Sequence, residues 1–136
     1  MPTWNAYSSR GRVLAVDDSY VMRELVTLSL EAVGYSVEAV ASGDAALVAA
    51  ARENFDAFIL DVDMPGMDGL AVGRALRRDP RTRSSMIAMH TSLDEADVRT
   101  GFDGYNAYLR KPFDARRLGE CVDRMLRDRG IRGRDA

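Results

Sequence analysis

Four separated stretches of this 136-residue chain place acidic, hydroxyl or amine side chains directly after short apolar runs. Asp17 and Asp18 follow Val13–Val16, and Asp61 and Asp63 follow Ala57–Leu60. His90, Thr91 and Ser92 follow Met86–Met89, and Arg110 and Lys111 follow Ala107–Leu109. If the runs are neighbouring parallel strands, these groups meet at one rim. Carboxylates gathered there repel one another, since two charges about 4 Å apart cost roughly 4 kcal/mol at an effective dielectric near 20. Asp17, Asp18 and Asp61 sum to −3 and Lys111 contributes +1. The remaining −2 suits a hard divalent cation such as Mg²⁺, which takes one or two carboxylates and keeps several waters. A Mg²⁺ beside a carboxylate and a lysine is a phosphate receptor. One of the carboxylates can then serve as a nucleophile and become an aspartyl phosphate.

Lys111 is the single lysine among nineteen basic residues; the other eighteen are arginine. A GC-rich genome accounts for much of that skew, but not for the one exception. Arginine is a wide planar fork and lysine a compact charge on a flexible stem, so a site that needs the compact charge resists replacement. Structural readings compete at each position. An Asp just past a strand serves equally as a helix cap, although Asp17-Asp18 is more than one cap needs. Val62-Asp63-Met64-Pro65-Gly66 is turn chemistry as well as metal chemistry. His90 reads as a packed strand-end residue, Cys121 as core, and Arg77, Arg78, Arg81 and Arg83 as a solvated helix end.

The elements that must position these groups are legible. The five runs include Val37–Ala41, and their starts are separated by 24, 20, 29 and 21 residues, the arithmetic of repeated βα units. Val13–Val16 and Ala57–Leu60 are apolar without alternation, as in strands covered on both faces. Right-handed crossovers then give a parallel sheet with helices on both sides, and ligands bind beyond its carboxyl ends. In the first helix Val21, Met22, Leu25, Leu28 and Ala32 make an apolar stripe, with Gly34 as the stop. Ser42 caps a second helix with Leu47, Ala50 and Ala51 inward, and Asp68 a third with Val72, Ala75 and Leu76 inward. Ser92-Leu93-Asp94-Glu95 reads as a capping box for the fourth. Asp114 caps a fifth with Leu118, Cys121, Val122 and Met125 on one face.

Length and composition exclude several classes. The chain fits one domain, expected at residues 12–127, with a loose arm at 1–11 and a polar tail at 128–136. No stretch lacking Asp, Glu, Lys and Arg exceeds Ser84–Leu93, so no segment spans a bilayer. The amino-terminal residues lack the apolar core of a secretion signal, which makes the cytoplasm the expected compartment. One cysteine excludes an internal disulfide, one histidine excludes a His-rich metal site, and a net charge of −2 provides no footprint for nucleic acid.

Taken together, Val13-Leu14-Ala15-Val16-Asp17-Asp18-Ser19, Ile59 to Gly69, Thr91-Ser92 and Tyr108-Leu109-Arg110-Lys111-Pro112-Phe113 resemble the receiver domain of two-component response regulators. The resemblance covers about residues 12–127. It implies a flavodoxin-like (βα)5 fold, a doubly wound five-stranded parallel sheet in the order 2-1-3-4-5. It implies Asp61 as phosphoacceptor and Mg²⁺ ligand, Asp18 as a direct Mg²⁺ ligand with Asp17 acting directly or through water, and the backbone carbonyl of Asp63 as a further ligand. It also implies Thr91 and Lys111 as partners of the phosphoryl group, a cis Lys111–Pro112 bond, and Tyr108 as the aromatic switch. The implied partners are a histidine kinase or phosphotransfer protein and a downstream protein target. A phosphorylation-dependent homodimer would form through the fourth helix and fifth strand; the sequence leaves monomer and dimer both open.

The Thr91 to Gly104 segment is shorter than the family pattern, which predicts a short fourth helix. Leu93, two residues after Thr91, is expected to exclude water from the acyl phosphate. Only nine residues follow Arg127, so a stand-alone receiver acting on a separate target is the leading reading. The alternatives are a pseudo-receiver that never carries phosphate and a fragment of a longer regulator. A phosphatase or nuclease is disfavoured, because no second general acid or base can be named; the chain reads as a switch rather than an enzyme of metabolic turnover.

Overall fold

A computed structural model describes residues 9–135, with side chains placed as far as Asp128. Five strands and five helices alternate strictly: β1 Arg12–Val16, α1 Tyr20–Glu31, β2 Ser36–Val40, α2 Gly43–Arg52, β3 Ala57–Leu60, α3 Gly69–Arg78, β4 Met86–Thr91, α4 Glu95–Gly101, β5 Ala107–Arg110 and α5 Ala115–Asp135. All strand pairs are parallel and the order is β2-β1-β3-β4-β5, the expected doubly wound sheet. The register pairs Val16 with Leu60 and Leu60 with Met89. Asp17 and Asp61, one residue beyond β1 and β3, therefore emerge side by side.

Alternation along the strands divides the core into two layers. Leu14, Val16, Phe58, Leu60, Ile87 and Met89 pack with Ala46, Ala49, Val72, Leu76 and Val98 from α2, α3 and α4. Val13, Ala15, Ala57, Ile59, Met86 and Ala88 face Val26 and Leu30 of α1 and Leu118, Val122 and Met125 of α5. Each fully buried Leu, Ile, Phe or Met contributes about 1.5–3 kcal/mol, so the central strands anchor the rim that follows them. Cys121 belongs to the second layer, as expected.

Several helix assignments need correction. In α1 the buried residues are Val26 and Leu30, whereas Val21, Leu25 and Leu28 are 63%, 46% and 61% exposed. This helix carries two apolar stripes at helical spacing, and only packing on the sheet selects one. In α2, Ala46, Ala49 and Ala50 are buried while Ala51 is exposed and Leu47 is half-buried. In α3, Val72 and Leu76 are buried and Ala75 is half-buried. The expected capping box at Ser92 does not form. Asp94 is the N-cap of α4 and makes no side-chain cap bond, because β4 runs on through His90 and Thr91 and delays the turn. The other caps form: Ser42 accepts from the Ala45 amide (3.1 Å), Asp68 from Ala71 (2.9 Å) and Asp114 from Arg116 (2.9 Å). The helix α4 has seven residues, as short as expected.

The ends of the domain also differ from expectation. The helix α5 continues past Arg127 to Asp135 where a polar tail was expected, since no proline interrupts propagation from the packed turns. Of the arm, residues 9–11 are tied down rather than loose. The Arg10 amide donates to Gly34 O (3.0 Å), and Gly11 O accepts from Ser36 (2.9 Å). Trp4 and Tyr7 lie outside the described residues. Gly34 has φ 100°, a left-handed conformation that suits glycine and reverses the chain after α1. No helix of the described residues is long and apolar enough to cross a membrane.

Candidate functional site

The rim is assembled from the ends of four adjacent strands. Asp17 follows β1, Asp61 follows β3, Thr91 ends β4 and Lys111 follows β5. Backbone bonds extend the sheet into the site: the Asp17 amide donates to Val40 O (3.2 Å), Asp61 to Val16 O (2.9 Å) and Lys111 to Thr91 O (2.8 Å). Asp17, Asp18 and Asp61 each present a carboxylate oxygen within 4.8 Å of the others, the only such cluster among the described residues. Asp17 and Asp61 are buried and Asp18 is exposed, which gives the cluster a closed floor and an open mouth.

The sole lysine lies inside this cluster. Its Nζ is 2.8 Å from Asp17 Oδ2 and 3.3 Å from Asp61 Oδ1. Burial works against the Lys111 ammonium, but the Asp17 bond and the two carboxylate charges outweigh it and hold its pKa above the ordinary lysine value. Asp17 is oriented from both sides, because its Oδ1 accepts from the Ser19 amide at 2.9 Å. Ser19 is in turn the N-cap of α1, accepting from Met22 N (3.2 Å), so the helix start and the rim share one set of bonds.

Asp61 differs from its neighbours. Burial, then the Asp17 charge, push its pKa up to about 6, against the opposing pull of Lys111 and a bond from the Asp63 amide. A carboxylate whose charged form is disfavoured by burial and by a neighbouring like charge is short of positive charge, the deficit a divalent cation would supply. The donor set of hard carboxylate oxygens fits Mg²⁺. Asp63 itself is exposed and contributes its backbone amide to Asp61.

Thr91 is fully buried, and its Oγ1 accepts from the Leu93 amide at 3.2 Å. Tyr108, on β5, is half-buried, and its hydroxyl donates to Leu93 O. The two expected switch residues therefore hold the same residue of the β4–α4 loop from opposite sides. That loop is further tied by Arg110 to Asp94, and α4 is braced by Tyr105, which donates to Glu95 Oε2 at 2.6 Å. The Lys111–Pro112 peptide is cis, as the resemblance implies. His90 is buried with its ring edge-on to Phe113 at 4.8 Å, and its Nε2 has no hydrogen-bond partner. Burial, then the Lys111 charge, lower its pKa to about 4, so it stays a neutral packing residue.

Sequence reasoning missed the role of Arg77. Rather than a solvated helix end, its guanidinium donates to Gly104 O (2.8 Å), Ser85 O (2.6 Å) and Asn106 Oδ1 (2.9 Å). Asn106 Oδ1 also accepts from the Ile87 amide (2.8 Å), which ties α3 to the start of β4 and β5. No local pattern marks such a staple, because its partners are backbone carbonyls distant in the chain. Gly69 was likewise unremarked. A Cβ there would lie 2.1 Å from Asp61 O, so the start of α3 abuts the backbone of the site.

The fold and rim define a doubly wound α/β domain with an acidic, lysine-containing site at the carboxyl ends of its strands. Residues 13–123 match the response regulator receiver domain, and the chain belongs to that family. It is 36% identical over 118 residues to the DNA-binding dual master transcriptional regulator RpaA of Synechocystis, covering 85% of this chain and 49% of that protein. It is 41% identical over 105 residues to response regulator PleD of Caulobacter vibrioides, covering 76% of this chain and 23% of PleD. The chain thus spans half or less of the length of these curated relatives. Among solved structures, chemotaxis protein CheY4 of Vibrio cholerae superposes with a TM-score of 0.80 at 35% identity, covering 85% of this chain and 98% of that one.

Proposed function

We propose that the protein is a phosphorylation-dependent switch that accepts a phosphoryl group on Asp61 from a histidine kinase or phosphotransfer protein and changes its binding to a protein target. The observation that carries this reading is the convergence of Asp17, Asp18 and Asp61 around Lys111. Asp17, Asp18 and Asp61, with the backbone carbonyl of Asp63, would hold Mg²⁺, which when bound offsets the charge of the carboxylates and of an incoming phosphoryl group. Asp61 supplies the nucleophilic oxygen, with the burial of its carboxylate limiting access of water. Lys111, already between two carboxylates, can follow the new negative charge as an ion-pair partner.

An aspartyl phosphate adds charge and acceptor oxygens at Asp61. The Thr91 hydroxyl uses its oxygen to accept from Leu93, which leaves its proton to donate to the phosphoryl group. Movement of Thr91 would strain its Leu93 bond, and with it the bond by which Tyr108 holds the same loop. Release of Tyr108 toward the space near Thr91 would alter the face made by α4, β5 and α5. Two or three charge-assisted bonds of roughly 1.5–3 kcal/mol are about sufficient for the ~5.5 kcal/mol that reverses a 1:99 equilibrium. The domain is a phosphoacceptor switch, with no turnover of an external substrate required.

Incubation with Mg²⁺ and acetyl phosphate, followed by intact-mass measurement, tests the reading. One added phosphoryl group, absent from Asp61→Asn and absent without Mg²⁺, is expected. Mg²⁺ binding without any phosphoryl adduct from acetyl phosphate or a kinase would favour a pseudo-receiver instead.

A further inference from the structure

The short helix α4 is held unequally at its two ends. At its carboxyl end, Phe102 leaves the helix in an extended conformation (φ −163°, ψ 118°) and its ring is buried against α3. The ring occupies space that side chains leave free. A Cβ on Gly73 would lie 2.5 Å from Phe102 Cε2, and one on Gly104 would lie 2.8 Å from Phe102 Cε1. Beside it, a Cβ on Gly101 would lie 2.6 Å from Leu70 Cδ1. Two arginines of α3 complete the attachment, Arg74 donating to Gly101 O (2.6 Å) and Arg77 to Gly104 O (2.8 Å). The amino-terminal end has no such seat. Asp94 is exposed and makes no side-chain cap bond. The attachments there are the Tyr108 hydroxyl on Leu93 O, the exposed pair Arg110–Asp94, and the bonds of Glu95 with Tyr105 and Arg99. Exposed ion pairs of this kind hold a segment weakly.

We propose that the seat of Phe102 between Gly73 and Gly104 is a fixed pivot, about which α4 turns by its amino-terminal end alone. The trigger for that turn, release of the loop held by Thr91 and Tyr108, rests on the phosphoacceptor reading above; the seat itself does not. A close-packed ring against two glycine backbones does not slide by degrees, so it stays or leaves as a unit. The extended backbone of Phe102 both ends the helix and directs the ring into the slot, which ties the shortness of α4 to its anchoring. A partner that distinguishes the two states of the domain then reads residues 93–96, while residues 101–104 present the same surface in both.

Amide hydrogen exchange of the unphosphorylated chain, read by NMR, compares two bonded amides on α4. Val98 donates to Asp94 O (3.2 Å) and Phe102 to Val98 O (2.9 Å). A seven-residue helix without an anchor frays at both ends, so its last amide is not the better protected. The pivot predicts the reverse, with Phe102 protected about tenfold or more above Val98. Gly73→Ala pushes the ring from its slot, and Phe102→Leu removes the ring without adding bulk to α3. Each is expected to lower that ratio severalfold, with circular dichroism verifying the fold. Equal exchange of the two amides in the wild type, or a ratio that neither variant moves, would overturn the proposal. Mg²⁺ with beryllofluoride, which mimics the acyl phosphate, is expected to shift the resonances of residues 92–97 and leave those of 101–104 in place. Equal shifts at both ends would also overturn the pivot. Shifts at neither end, with the exchange ratio intact, would count against the phosphoacceptor reading while the ratio upholds the seat.

Discussion

Replacing Asp61 with asparagine should stabilise the metal-free protein at neutral pH. The carboxylate lies 4% exposed beside Asp17, and its pKa is raised from 3.8 to about 6. Since each tenfold change in a binding equilibrium is about 1.4 kcal/mol, keeping Asp61 ionised at pH 7 costs the fold up to about 3 kcal/mol relative to the unfolded chain. Asparagine keeps the shape and removes the charge, so a gain of about 1–3 kcal/mol is expected. The sign with pH follows from the raised value. The wild-type penalty is absent below about 4, grows as pH rises toward 6 and is complete above it. The advantage of Asp61→Asn should therefore be full at pH 7 and vanish near pH 4. Millimolar Mg²⁺ should narrow it at pH 7 by stabilising the wild type more. Urea unfolding followed by far-ultraviolet circular dichroism measures this, with an unchanged slope showing that only stability moved. Equal or lower stability of Asp61→Asn at pH 7 without Mg²⁺ would refute the claim that the rim holds an uncompensated charge.

Further outcomes are expected at neighbouring positions. Lys111→Arg should leave the fold intact but impair phosphorylation-dependent partner binding, because a wide planar fork replaces the compact ammonium that pairs with both Asp17 (2.8 Å) and Asp61 (3.3 Å); normal switching would show that any cation suffices. Leu93→Glu should shorten the lifetime of the phosphorylated form, measured by loss of radiolabel, since Leu93 is the apolar residue of the loop that Thr91 and Tyr108 both hold. Gly69→Ala should lower stability by about 1–3 kcal/mol and slow phosphorylation, because the added methyl meets the Asp61 carbonyl rather than a yielding side chain. The His90 ring should titrate by NMR with a midpoint of about 4. Its contribution to stability is then present above the ordinary value of 6.5 and is lost as pH falls toward 4; a midpoint near 6.5 would contradict its burial.

Spacing along the chain determined the βα rhythm, the four clusters at the strand ends and most of the caps, because these depend on short-range chemistry that each segment carries within itself. The lone lysine marked the cation of the site for the same reason: its singularity is a property of composition. Periodicity could not choose between the stripes of α1, since Val21, Leu25 and Leu28 are as regular as Met22, Val26 and Leu30; the choice came from which side met Val13, Ala15 and α5. Nor could it show that Arg77 joins α3 to β4 and β5, that Gly69 lies against Asp61, or that burial sets Asp61 apart from Asp17 and Asp18. Tertiary structure decided these because desolvation, close approach and hydrogen bonds to remote carbonyls exist only between segments that folding brings together.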